Sequence, residues 1–135
     1  MDIRDTVLLN LRPEIITAIV NDSMSDEEIF QNKTIRPVVK LQNDILIQVF
    51  KHYIEKHKNV FYDLPIDKKL DYIENAIHKN MKFRNSIKGI IIGMFTTQEH
   101  NDYTKNSSSL NKRMMGIVKE RLKSNVQLLA YEFSH

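Results

Sequence analysis

The stretch from residue 37 to 58 constrains the fold more than any other part of the chain. Pro37 suits the first turn of a helix, where its missing N–H would have no partner in any case. When the following residues are wound at about 100° each, apolar side chains occupy most of the circumference. A surface helix carries a much narrower apolar stripe, so the pattern predicts a helix buried on several sides. We expect it to be central to an all-helical domain, or shared between that domain and a partner subunit.

Three further stretches have helical periodicity and are expected to pack around the central one. Apolar residues recur at spacings of 4, 3, 4 and 4 from Ile66 to Met81, which is the clearest amphipathic signal in the chain. The predicted packing helices are 66–80, 81–95 and 109–130. Shorter helices are expected at 2–10, at 13–20 after Pro13, and after the capping-box sequences that begin at Ser25 and Thr96. The sequence therefore predicts a single all-α domain of five to seven helices over residues 1–131, with a frayed tail at 132–135.

Composition agrees with an ordinary globular protein and excludes several classes of protein. The chain is 41% hydrophobic and 27% charged, and its three glycines and three prolines leave little room for the turns of an all-β fold. It has no cysteine, which excludes disulfides and thiolate chemistry. The N-terminal residues lack a basic signal-peptide region, and no apolar run reaches the ~20 residues of a membrane helix. We therefore expect a cytoplasmic protein without a membrane partner.

Positive charge is concentrated in the second half of the chain. Residues 1–65 carry 8 Lys/Arg against 10 Asp/Glu, whereas residues 66–135 carry 12 against 7. Lys112, Lys119 and Lys123 share one face of the last predicted helix and could contact successive phosphates of a nucleic acid. A solvated lysine face gives the same pattern, and there is neither a helix-turn-helix glycine turn nor an aromatic platform motif.

Several polar side chains fall inside the predicted apolar faces. Arg121 and Asn125 lie within the apolar stripe of the last helix, and Arg84 projects beside apolar neighbours in 81–95. An unpaired buried charge costs several kcal/mol, so we expect Arg121 to snorkel to solvent or to pair with a carboxylate, for which Asp44 or Glu14 are candidates; the alternative is that it binds an anion in a pocket.

The central helix raises the same question. Its apolar arc contains Gln42 and His52. One interpretation is that these side chains satisfy backbone groups, as buried amides normally do. If they converge with the arginines, they would form the polar pocket of a small-anion-binding protein or an enzyme, made by Gln42, His52, Arg84, Arg121 and Asn125.

Ser86, Gly89 and Gly93 share a face of the 81–95 stretch. A glycine inside a helix costs about 1 kcal/mol relative to alanine, so two of them four residues apart suggest that another backbone approaches closely. That backbone could belong to the same chain or to a second subunit.

No motif specifies a reaction, a metal or a cofactor. His52 and His57 are five residues apart and project to different faces, and Glu74 with His78 supplies only two ligands. We therefore expect no catalytic residues that can be named, no metal and no cofactor. The leading interpretation is a non-enzymatic interaction module that self-associates as a dimer. Nucleic-acid binding and small-anion binding are the alternatives.

Five short stretches resemble a small bacterial family of about this length to which no activity is assigned. They are Phe30-Gln31-Asn32, Arg36-Pro37, Lys40-Leu41-Gln42-Asn43, Asp71-Tyr72-Ile73-Glu74 and Ile91-Ile92-Gly93-Met94-Phe95-Thr96. Similar sequences are sometimes labelled glyoxalase. The glyoxalase fold consists of strand-rich repeats with His and Glu metal ligands, which this sequence does not support. The resemblance therefore implies no catalytic residues.

Overall fold

The computed structural model describes residues 2–126 and Leu129. Its elements are α1 (Ile3–Leu11), α2 (Asp26–Phe30), a π-helical segment (Gln31–Ile35), α3 (Arg36–Leu41), α4 (Asn43–Lys56), a 3₁₀ segment (Val60–Asp63), α5 (Ile66–Lys79), α6 (Met81–Ile92), α7 (Thr97–Thr104) and α8 (Ser107–Ser124). No strand occurs in these residues, so the all-α prediction is confirmed. Helices α3 and α4 are separated only by Gln42; counted as one interrupted helix, they bring the number of α-helices to seven.

The predicted central stretch does lie in the hydrophobic core. On α4, Leu46, Phe50 and Ile54 are completely buried. This helix packs against α6 and α8, and α5 packs against the same two helices. The buried apolar residues form one cluster that includes side chains from all four helices. Burial of this apolar area is the main favourable term in the stability of such a domain.

The central stretch differs from the prediction in continuity and in the extent of its burial. The helix is interrupted at Gln42, which has φ −89° and ψ 8°, and the Gln42 side chain donates a 3.1 Å hydrogen bond to the Ile90 carbonyl. Ile45 is 45% exposed and His52 is exposed. The apolar arc is therefore wider than the surface that the neighbouring helices cover, although the stretch as a whole lies in the core as predicted.

The helix predicted at 13–20 does not form. Residues 12–15 and 18–21 have no helical assignment, and only a turn occurs at residues 16–17. Five β-branched residues, whose side-chain freedom a helix restricts, are crowded between Ile15 and Val20. The segment is instead attached to the domain by Asn32, whose Nδ2 donates to the Ile19 carbonyl at 2.9 Å.

The other predicted helix boundaries are close to the observed ones. Helix α6 ends at Ile92 rather than 95, and α8 begins at Ser107 rather than 109. The predicted extension of the last helix to 130 and the tail at 132–135 fall largely outside the described residues.

The predicted capping box is complete at Thr96 and only partly formed at Ser25, where the hydroxyl and not the N–H of Ser25 donates to Glu28. Ser25 accepts a hydrogen bond from the Glu28 N–H at the start of α2. Thr96 forms a complete capping box at the start of α7: its hydroxyl accepts from the Glu99 N–H at 3.1 Å, and its own N–H donates to Glu99 Oε1 at 2.8 Å. Both arrangements satisfy N–H groups that have no partner within the helix.

Aromatic rings surround Phe50 at one end of the core. Phe61 packs edge-on against it with ring centroids 5.4 Å apart, and Tyr72 contacts both rings at 6.3 and 5.3 Å. The Tyr72 hydroxyl is buried without a hydrogen-bond partner in the part of the chain that the structure describes. Desolvation, reinforced by the neighbouring tyrosines, raises the pKa of Tyr72 to about 12.

We predict that Tyr72→Phe raises the free energy of unfolding by up to about 1 kcal/mol, because it removes a buried hydroxyl that has no partner. Tyr103→Phe is the matched control. The Tyr103 hydroxyl donates a 2.6 Å hydrogen bond to Asn111 Oδ1, so its removal should lower stability by about 1 kcal/mol. Urea unfolding of both variants measures the two effects. Destabilisation by Tyr72→Phe equal to that of the control would contradict the prediction.

Candidate functional site

The polar residues predicted to form one pocket do not come together. Gln42 is bonded to the backbone of α6, and His52 is exposed on α4. Arg84 is half-buried and lines neither of the two cavities described below. Asn125 ends α8 and donates a 2.7 Å hydrogen bond to the Arg121 carbonyl. Angular position on a helix predicts which side chains face away from solvent, but it does not predict which neighbour each one faces. The prediction of a shared pocket therefore failed.

Arg121 is the predicted site residue that does line a cavity. Its guanidinium makes no hydrogen bond or ion pair with any residue in the described part of the chain, and this includes the suggested partners Asp44 and Glu14. The cavity has a volume of about 500 Å³, and we call it the arginine cavity. Its lining residues are Ile15, Thr17, Gln31, Asn32, Arg36, Ile117 and Arg121. Two arginines and no carboxylate therefore line this cavity.

A second, larger cavity of about 620 Å³ lies between α2 and α7. Four carboxylates line it, and the two less exposed ones, Glu27 and Glu99, already have partners. Glu27 accepts hydrogen bonds from Asn106, Ser109 and Arg113, and these lower the pKa of the Glu27 carboxyl. Glu27 is thus used in holding α2 to α8, and Glu99 is used in the contacts described next, which makes this cavity a weaker candidate for a ligand.

Glu99 joins three distant segments beside that larger cavity. Arg12 donates to both Glu99 carboxylate oxygens at 2.6 Å, and the Thr34 hydroxyl donates to Oε2 at 2.9 Å. The side chains of the ion pair are only 7% and 15% exposed. Desolvation alone would raise the pKa of Glu99, but the hydrogen bonds from its donors outweigh it and hold that pKa below the ordinary 4.5.

The same N-terminal region also covers the end of α6. Arg12 donates to the Met94 carbonyl, and Arg4 donates to the Gly93 and Phe95 carbonyls at 2.7 and 3.0 Å. Asp5 accepts from the Thr97 hydroxyl at 2.7 Å, and this bond is the largest reason why the pKa of Asp5 is lowered. Arginines at the C-terminal end of α6 and an aspartate at the N-terminal end of α7 also complement the two helix dipoles.

A consequence is that α1 exposes apolar side chains. Seven of the eleven exposed large apolar side chains in the described residues lie between residues 3 and 20. We call them the N-terminal apolar surface: Ile3, Val7, Leu9, Leu11, Ile16, Ile19 and Val20.

The small-residue face of α6 is also exposed. Ser86, Gly89 and Gly93 are all exposed, and a Cβ added at Gly89 would meet no atom within 4 Å. Close approach of another backbone from this chain therefore does not explain Gly89, and that part of the prediction is wrong. A contact of this face with a second subunit stays a prediction.

The lysine face predicted on the last helix is partly neutralised. Lys119 and Lys123 lie 3.6 and 3.5 Å from the two carboxylate oxygens of Glu74, and Lys112 is exposed. The two lysines lower the pKa of Glu74 in return. A carboxylate between two of the three lysines weakens the expected attraction for phosphates, so no structural observation favours nucleic-acid binding.

Sequence reasoning missed Arg12 and Arg36. Arg12 directly follows the apolar run of α1 and directly precedes Pro13, so its position between two predicted helices made it look like a connection. Arg36 precedes Pro37, where the predicted central helix begins, so the angular pattern did not include it. An arginine next to a proline at a helix boundary was the only available signal for either residue.

No group of three or more potential metal ligands occurs among residues 2–126. Over the same residues, no helix is both long enough and apolar enough to cross a bilayer. Comparison of the chain with protein-family models, with characterised proteins and with solved structures finds no significant match. No relative therefore transfers a ligand or a reaction to either cavity, and the family resemblance of the five short stretches stays a prediction.

We predict that Arg12→Ala lowers the free energy of unfolding by about 3 kcal/mol, because it leaves the carboxylate of Glu99 buried without its charge partner. Lys105→Ala is the control, since the Lys105–Asp102 pair is exposed and 3.9 Å apart. The control should change stability by less than about 0.5 kcal/mol. Chemical unfolding at neutral pH measures the stability of both variants. Equal changes in the free energy of unfolding would show that the buried pair stabilises the protein no more than the exposed pair does.

Stability should also depend on pH through Glu99. Because the pKa of Glu99 is lowered on folding, its contribution is fully present above the unfolded value of about 4.3 and is lost as pH falls through the folded value. Arg12→Ala removes the main source of this shift. We therefore expect unfolding free energy to fall less steeply below pH 5 in the variant than in the wild type. Identical slopes in unfolding series across the acid range would contradict this assignment.

Proposed function

We propose that this protein is a non-enzymatic helical module that self-associates as a homodimer through the outer face of α1. The observation that carries the proposal is the exposed apolar stripe of α1. Ile3 is 84% exposed, Val7 48% and Leu11 53%. An ordinary monomeric protein would bury such a stripe or would carry polar side chains in its place.

The spacing of the stripe supports pairing with a second copy of the same helix. Ile3, Val7 and Leu11 are four residues apart and form one ridge along α1. Ridges of this spacing on two helices interdigitate at a crossing angle near −50°, the commonest class of helix packing. A two-fold axis through such a crossing brings the same ridge from each copy together, as a self-complementary dimer interface requires.

The opposite face of α1 shows why the stripe is available. Asp5 and Leu8 are its buried residues, and Asp5 is anchored to the start of α7. Since these contacts fix the rotation of α1 about its own axis, the helix cannot turn its apolar ridge inward without breaking them. A second copy of the chain would remove the ridge from water.

We predict that sedimentation velocity shows a dimer at high micromolar concentration and that Val7→Asp weakens it by about tenfold or more. The substitution places a carboxylate in the ridge of both copies, where like charges would be desolvated together. A monomer at every concentration reached would overturn the proposal.

Two further variants locate the interface. Met81→Asp changes an exposed apolar residue, 59% exposed, at the start of α6 and should leave the dimer unchanged. Gly89→Asp tests the small-residue face, where a Cβ added at Gly89 meets no atom of the monomer within 4 Å. Loss of the dimer in Gly89→Asp but not in Val7→Asp would move the interface to α6 and contradict the assignment to α1.

A further inference from the structure

We propose that the arginine cavity binds a small dianionic phosphate, with Arg36 and Arg121 as the two residues that contact the phosphate oxygens. The cavity is lined by two guanidinium groups, two amide side chains and a threonine hydroxyl, and by no carboxylate. This site is independent of the dimer interface that we assign to α1, because neither arginine belongs to that helix.

Arg36 is held in a fixed orientation by its neighbour on the π-helical segment. Its Nε donates a 3.1 Å hydrogen bond to Asn32 Oδ1. Asn32 is itself fixed, because its Nδ2 donates to the Ile19 carbonyl at 2.9 Å. With Nε occupied, the two terminal amino groups of Arg36 remain as donors, and they make no hydrogen bond within residues 2–126. An arginine held in this way binds an oxyanion with little loss of side-chain entropy.

Arg121 supplies the second guanidinium from α8. It is half-buried, and its guanidinium donates no hydrogen bond to any residue that the structure describes. No Arg121 nitrogen is among the buried polar atoms that lack a partner, so its donors are open to water, which an anion can replace with stronger, charge-assisted hydrogen bonds. An anion in the cavity would satisfy these donors.

The π-helical turn is a second observation that points to the same place. Gln31 and Asn32, its first two residues, line the cavity. Gln31 is oriented by Arg113, which donates to Gln31 Oε1 at 3.0 Å. Such turns are rare and occur frequently at functional sites. Here the turn brings two fixed amides beside two arginines.

Charge balance selects the class of ligand. A phosphate monoester carries nearly two negative charges at neutral pH, which matches the two guanidinium groups, and its oxygens suit the paired donors of arginine. A monocarboxylate would leave one guanidinium uncompensated. The volume of about 500 Å³ accommodates a phosphate group together with a small organic substituent.

The test is isothermal titration calorimetry of the full chain with glycerol 3-phosphate, with inorganic phosphate and with succinate. We expect glycerol 3-phosphate to bind with a dissociation constant of about 1 mM or lower. Equal affinity for inorganic phosphate would show that the cavity recognises only the phosphate group, whereas tighter binding of the ester would show that the substituent is recognised as well. Tighter binding of succinate than of either phosphate would overturn the assignment to phosphate.

Variants connect binding to the two arginines. Arg121→Gln should weaken binding by about tenfold or more, since each charge-assisted interaction that is lost is worth at least that factor. Arg121→Lys, which keeps the charge but loses the paired donors, should give a smaller loss. Arg84→Gln is the matched control, because Arg84 lies outside the cavity, and its affinity should equal that of the wild type.

Folding of each variant is checked by thermal unfolding without ligand. Arg121 makes no side-chain hydrogen bond in the described residues, so Arg121→Gln should unfold at the wild-type temperature. The proposal is overturned if no phosphate binds the wild type at millimolar concentration, or if Arg121→Gln and Arg84→Gln reduce the affinity equally.

Discussion

The carboxylate of Glu99 is the group on which the arrangement of the N-terminal third depends. It receives hydrogen bonds from Arg12, from the Thr34 hydroxyl and from the Thr96 N–H. These donors come from the end of α1, from the π-helical segment and from the start of α7. A buried ion pair is stabilised when its remaining donors and acceptors are satisfied. Glu99 is satisfied by its three partners, whereas Arg12 Nε is buried without a partner in the described residues. One side chain therefore joins three segments.

Polar anchoring of α1 reverses the usual orientation of a surface helix. Most surface helices bury an apolar face and expose a polar one. Here the side that faces the domain carries Asp5, and Arg12 follows directly at the end of the helix, with Leu8 as the only buried apolar residue. The apolar ridge of Ile3, Val7 and Leu11 consequently faces away from the core. The polar network and the exposed ridge are two results of one constraint, which is why the dimer that we propose follows from the position of Glu99.

Local signals in the sequence predicted most of the helices. Of the contacts made by Glu99, they predicted the capping box with Thr96 but not the ion pair with Arg12. Periodicity located α5, α6 and α8 within a few residues, because the apolar spacing of a helix is a property of consecutive residues. The Thr96–Glu99 capping box was predicted for the same reason. Arg12 could not be predicted as the partner of Glu99, because the two are 87 residues apart and nothing local to either residue encodes the contact. The residues after Pro13 were wrongly predicted as helix because periodicity took no account of how many β-branched side chains they carry.

The π-helical segment explains why the arginine cavity was predicted only in part. Arg121 stood out because it occupies an apolar position on α8, which is regular and follows a rotation of about 100° per residue. Arg36 did not, because the predicted helix began at Pro37 and no periodicity indicated the π-helical segment Gln31–Ile35 that precedes Arg36. The π-helical segment contributes to both the Glu99 network and the arginine cavity. The Thr34 hydroxyl donates to Glu99, whereas Asn32 accepts from Arg36 and donates to the Ile19 carbonyl. Asn32 therefore connects the arginine cavity to the segment that carries Ile16, Ile19 and Val20. Ile15 and Thr17 of the same segment line the cavity directly, so the cavity and three residues of the N-terminal apolar surface lie on one stretch of chain that Asn32 holds in place.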